Sequence, residues 1–129
     1  MPPHTDVLIA IIDDDDSFRT AMGGLIRSLG YKAAGFSSAE AFLDARSDCH
    51  ADCLVSDIQM LGMSGIEMKQ ALNRDGDTVP VIFVTAQTDA VLGRRVDECG
   101  GLLLLHKPFD GQHLIDGIHR ALDRFPQSN

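Results

Sequence analysis

At 129 residues the chain is the size of one ordinary domain, because two domains of half that length would each be marginal. With 44% apolar and 23% charged residues a buried core is easily supplied, which argues against disorder. Eleven basic against nineteen acidic residues leave a net charge of −8, which repels phosphate backbones and argues against direct nucleic-acid binding by this chain.

Short β-rich apolar runs alternate with helical patterns along the whole length, the signature of a parallel sheet with crossover helices. Val7 to Ile12 is apolar at every position, as a strand covered on both faces should be, and it stops at Asp13. Such runs fall far short of the roughly 18 apolar residues that a membrane span needs, so no membrane segment is expected. No apolar signal-like run precedes the acidic cluster, and three cysteines form no disulfide framework, so a cytoplasmic location is expected. From Ser17 to Leu29, the residues Phe18, Met22, Leu25, Ile26 and Leu29 recur at helical spacing, with Asp or Ser opening the run and Gly30 at the C-cap position. Gly23 and Gly24 lie inside this helix at a cost of about 1 kcal/mol each against alanine, which close packing or a local distortion would explain.

Tyr31 to Phe36 is a weaker strand, followed by Ser37-Ser38-Ala39-Glu40, whose serine and glutamate three apart predict a capping box and a short helix. Cys53 to Ser56 is a short buried strand that runs straight into Asp57. Ser64-Gly65-Ile66-Glu67 predicts a second capping box, and Ile66, Met68 and Leu72 or Ala71 supply the apolar side of a third helix that ends within Asn73 to Asp77. Val79 to Thr85 is a strand rich in β-branched residues, Asp89 to Cys99 a helix, Leu102 to Leu105 a fifth strand, and Lys107-Pro108-Phe109 a loop. Leu114, Ile115, Ile118, Ala121 and Leu122 form the stripe of a fifth helix.

Five β/α units predict a doubly wound sheet, which binds ligands beyond the carboxyl ends of its strands. Asp13 and Asp14 follow the first strand, Asp57 the third and Lys107 the fifth, and Thr85 ends the fourth, all on one rim. Converging carboxylates repel one another, so the site must hold a cation or keep some acids protonated. Magnesium suits oxygen donors with no histidine or cysteine beside them. Asp15 and Asp16 read as a solvated run that favours the helix dipole. An aspartate beside magnesium and a lysine is suited to attack phosphorus, which makes Asp57 the candidate nucleophile, with Thr85 and Lys107 as partners for phosphoryl oxygens.

Asp13-Asp14, Asp57 with Met60, Gly62, Met63, Ser64 and Gly65 beyond it, Thr85-Ala86 and Lys107-Pro108-Phe109 together resemble the response regulator receiver domain, most closely the nitrogen-fixation regulator branch. The resemblance implies a flavodoxin-like (βα)5 α/β fold with strand order 2-1-3-4-5. It implies residues 1–125 as the receiver domain and 126–129 as a C-terminal tail or truncated linker. It also implies a phosphorylation switch in two-component signalling. Asp57 takes a phosphoryl group from a sensor histidine kinase or small phosphodonor, with Mg²⁺ held by Asp14, Asp57 and the Gln59 carbonyl, and by Asp13 through water. Thr85, Ala86 and Lys107 then contact the phosphoryl group. Such a domain is not an enzyme beyond its own phosphoryl transfer and autodephosphorylation, and Gln59 and Gln87, two positions after Asp57 and Thr85, would tune the phosphoryl lifetime. The branch usually carries a LuxR-type DNA-binding output domain, which this chain lacks. By the same resemblance the Lys107-Pro108 bond is expected to be cis.

The chain also departs from the family. Leu104 stands at the signal-transmitting position usually held by Tyr or Phe, so aromatic rotation is not the readout here, and Leu61 stands where the loop usually has proline. These departures keep open a pseudo-receiver that binds partners independently of phosphorylation. Leu102 to Leu105 reads most simply as buried, with a homodimer or partner patch across helix four, strand five and helix five as the alternative. A dehalogenase-type phosphatase, suggested by the spacing of Asp14 and Asp16, is disfavoured because the expected Thr or Val is replaced by Phe18 and no cap domain is present. Cys49, His50 and Cys53 lack further metal ligands. His106 reads as an exposed residue beside Lys107.

Overall fold

The computed structural model describes residues 6–124, and in it strand and helix alternate five times. The elements are β1 (Leu8–Ile12), α1 (Asp16–Ser28), β2 (Lys32–Phe36), α2 (Ala39–Ala45), β3 (Cys53–Asp57), α3 (Gly65–Arg74), β4 (Val81–Thr85), α4 (Ala90–Cys99), β5 (Leu103–His106) and α5 (Gly111–Arg124). The strands are all parallel in the order β2-β1-β3-β4-β5, as expected, so the chain reverses its direction of winding between β1 and β3. The expected tail at 126–129 lies outside the described residues.

Alternation along each central strand divides the core in two. Ala10, Ile12, Leu54, Val81 and Phe83 face Phe42, Ile66, Met68, Leu72, Leu92 and Val96 of α2, α3 and α4. Ile9, Ile11, Cys53, Val55, Ile82 and Val84 face Ile26, Leu114, Ile118 and Ala121 of α1 and α5. β3 and β4 are buried at every position, whereas the edge strand β2 exposes Lys32 and Gly35, which is why its pattern is the weakest in the sequence.

Helix starts follow local chemistry, with one correction. The capping box of Ser64 and Glu67 forms as predicted, and Asp15 caps α1 by accepting the N–H groups of Ser17 and Phe18. The box expected between Ser37 and Glu40 does not form. Ser38 caps α2 alone, and Glu40 instead accepts the Met63 N–H at 3.0 Å, tying α2 to the loop after β3. α1 runs unbroken through Gly23 and Gly24. A Cβ on Gly23, which is buried, would lie 3.1 Å from the Arg27 guanidinium, so close packing bears on that glycine, whereas one on Gly24 would meet nothing within 4 Å and packing does not account for it.

Candidate functional site

The carboxyl ends of β1, β3, β4 and the residue after β5 meet at one rim. Asp13 continues β1, its N–H bonded to the Phe36 carbonyl at 3.1 Å, and its side chain is fully buried. One carboxylate oxygen accepts the Asp15 N–H at 2.9 Å, the other the Lys107 ammonium at 2.8 Å. Asp57 closes β3. Its Oδ1 accepts the Gln59 N–H at 3.2 Å and its Oδ2 faces Lys107 Nζ at 3.4 Å. Lys107 thus bridges two acids 94 and 50 positions away. Its own backbone N–H donates to the Thr85 carbonyl at 2.7 Å, and the Lys107-Pro108 bond that follows is cis as expected.

Asp14 is exposed, yet one of its oxygens lies within 4.8 Å of oxygens of Asp13 and Asp57. Among the described residues this trio is the group able to share a metal ion; Cys49, His50 and Cys53 do not converge, and the buried Cys53 thiol is pushed up to about 12 by burial and by Asp52. Asp16 turns away to pair with Arg19 on α1, so no Asp14–Asp16 pair of the phosphatase kind is built. Arg19 also donates to the Asp13 carbonyl at 2.6 Å.

Electrostatics at the rim follow from burial and charge. Burial raises the Asp57 carboxyl above its ordinary value, the Asp13 charge adds to this, and Lys107 pulls the other way. For Lys107, burial alone would weaken its hold on the proton, but the hydrogen bond it donates to Asp13 and the charges of Asp57 and Asp13 more than offset it, and the amine is raised. The ammonium also sits 4.1 Å from the centre of the Phe18 ring, which contacts Phe109 edge-on.

Thr85 is fully buried; its hydroxyl donates to Gln59 Oε1 at 2.9 Å and accepts the Gln87 N–H at 3.0 Å. Ala86 is exposed beside it, and Gln87 enters the network through its backbone. Leu104 pairs in register with Phe83 on β4 and is half-buried against the α2, α3 and α4 side of the core. Leu61 is 87% exposed on the loop after β3, and His106 is exposed at the end of β5. Phe18 under the lysine, the Glu40 contact and the seat of Gly65 escape sequence reasoning. A Cβ on Gly65 would lie 2.2 Å from the Asp57 carbonyl oxygen, so only glycine lets α3 begin this close to β3.

Comparison with known proteins returns the same family from three directions. A family model described as the response regulator receiver domain matches residues 9–119. The transcriptional regulatory protein TdiR of Thauera aromatica is 35% identical over 114 residues, which are 88% of this chain and 50% of that protein. The transcriptional regulatory protein FixJ of Azorhizobium caulinodans is 35% identical over 116 residues, 90% of this chain and 55% of that protein. The chain therefore spans about half the length of these curated relatives. A crystal structure of FixJ-N superposes with a TM-score of 0.87 at 28% identity, covering 95% of this chain and 98% of that one.

Proposed function

Because this chain belongs to the response regulator receiver domain family, we propose that it is a phosphoacceptor switched by Mg²⁺-dependent phosphorylation of Asp57, with a sensor histidine kinase or a small acyl phosphate as donor. The observation that carries this reading is the single ammonium of Lys107 set between the buried carboxylates of Asp13 and Asp57 at the strand ends. An Asp57 oxygen attacks phosphorus, the bond from phosphorus to the donor breaks, and an acyl phosphate forms. Lys107 holds a phosphoryl oxygen as a point charge, and the Thr85 hydroxyl donates to another beside Ala86.

The donor set fits a hard divalent cation, since three carboxylates with converging oxygens and no soft ligand favour magnesium over zinc. Asp14, Asp57 and the Gln59 carbonyl would hold it, with Asp13 acting through water. Bound there, magnesium supplies positive charge against the incoming phosphoryl oxygens.

The domain works as a signalling module whose chemistry is limited to its own phosphorylation and dephosphorylation. Its relatives TdiR and FixJ are transcriptional regulators of which the matched region is about half, which supports an output domain or partner that reads the switched surface, Leu104 included. No described helix is long and apolar enough to cross a membrane, in keeping with a cytoplasmic relay. The decisive experiment is intact mass after incubation with Mg²⁺ and acetyl phosphate. One added phosphoryl group, absent in Asp57→Asn, is expected. No adduct at saturating magnesium would favour the second reading, a pseudo-receiver binding partners without phosphorylation, which the aliphatic Leu104 and the exposed Leu61 support.

A further inference from the structure

The hydroxyl of Thr85 has one proton to give, and in this structure it gives it to Gln59. The threonine is fully buried, its oxygen already accepts the Gln87 N–H, and the Gln59 carboxamide oxygen is the acceptor for the proton at 2.9 Å. The same Gln59 donates its backbone N–H to Asp57 Oδ1, so this one residue touches both the aspartate and the threonine. A phosphoryl oxygen on Asp57 and Gln59 Oε1 therefore compete for one donor, and a single hydroxyl cannot serve both.

We infer that the Gln59 side chain is a positioning residue that latches Thr85 in the unphosphorylated state, and that acceptance of the phosphoryl group requires this hydrogen bond to be exchanged. The inference rests on the receiver reading above, and deepens it. It assigns Gln59 a role before phosphoryl transfer, acting through the threonine, that is separate from any influence on the hydrolytic water. It also supplies a restraint on switching in a chain whose Leu104 lacks the ring that would sense the threonine. The exchanged bond sets the size of the effect. Removing the competing acceptor leaves the buried hydroxyl proton unsatisfied in the resting state, so the activated state gains by comparison.

The test is the affinity for beryllofluoride, a phosphoryl mimic, measured by fluorine NMR at saturating magnesium on the full chain and on Gln59→Met, Thr85→Ala and the double variant. Methionine keeps the length of the side chain, removes the carboxamide acceptor and leaves the backbone carbonyl and N–H of residue 59 in place. Gln59 is exposed, so the variant is expected to fold, and a melting curve checks this. Gln59→Met is expected to bind beryllofluoride roughly threefold to tenfold more tightly, the change that one net hydrogen bond of ordinary strength produces. In the Thr85→Ala background the same substitution should have no effect, because no hydroxyl remains to be released. Equal affinities for the parent and Gln59→Met would overturn the latch, and so would a gain that persists without the threonine. Failure of the parent chain itself to bind the mimic would overturn the receiver reading instead, and the latch with it. A longer phosphoryl lifetime at unchanged beryllofluoride affinity would place Gln59 on the water path alone, against the latch.

Discussion

The Lys107 ammonium is shared between the carboxylates of Asp13 and Asp57, so an ionised Asp57 is offset by less than a full positive charge. The consequence is sharpest at Asp57, whose raised carboxyl means that the folded chain binds that proton more tightly than the unfolded chain does. The stability this provides is complete below the ordinary carboxylate range and is lost as pH rises through the raised value. At pH 7 the ionised group therefore weakens the fold. In metal-free buffer at pH 7, Asp57→Asn is expected to be more stable than the parent by about 1 kcal/mol, since it removes one charge while keeping the shape. The advantage should shrink as pH falls below the carboxylate range, where both chains carry a neutral group. Thermal melts across that range with chelator present check the sign. A variant no more stable than its parent at pH 7 would mean that Lys107 compensates all of the repulsion.

At the scale of elements, two helical glycines with similar sequence surroundings have opposite meanings. Gly24 lies on the exposed face of α1 with open space where a Cβ would go, so Gly24→Ala is expected to stabilise the protein by about 0.5–1 kcal/mol through helix propensity. Gly65 begins α3 against the end of β3, its N–H bonded to the Ile58 carbonyl at 2.9 Å and its Cα beneath the Asp57 carbonyl. Gly65→Ala must push helix and strand apart, at a cost of about 1–3 kcal/mol, and should move the Asp57 end of the site with it. Urea midpoints of the two variants should shift in opposite directions; a shift of the same sign would show that α3 can re-seat without loss. The Glu40 carboxylate, held low by the Met63 N–H, is the other fixture of this region, joining α2 to the loop that carries Gln59 and Leu61.

For the whole molecule, the two-faced core and the acidic rim pull in different directions. Packing on both sides of β1, β3 and β4 fixes the strand ends, and the fixed ends hold like charges together that would separate in a looser chain. A divalent cation bound there is coupled to folding as a whole, because the unfolded chain cannot assemble residues from β1 and β3. Magnesium is expected to raise the melting temperature progressively, approaching about 2.7 kcal/mol of added stability at a concentration one hundred times its dissociation constant. Sodium chloride at matched ionic strength should give much less, and Asp57→Asn should blunt the magnesium response. A melting temperature indifferent to magnesium would sink the proposed metal site.

The features legible from the sequence are those written in neighbouring residues. The apolar runs that end at Asp13 and Asp57, the helical stripes and the Ser64–Glu67 box depend on contacts a few positions apart, and all of them stand in the fold. The positions of the acids, threonine and lysine on one rim follow as well, since parallel strands all carry their ends to the same side. The Ser37–Glu40 box failed because Glu40 had a better partner 23 positions away, which no local pattern can reveal. Tertiary structure alone decided which oxygen each group serves: Lys107 on Asp13 and Asp57, its ammonium over Phe18, and the Thr85 proton on Gln59. A hydrogen bond is settled within a few tenths of an ångström. Sequence specifies which end of the sheet a residue reaches, and the packing of both core layers sets the remaining distance.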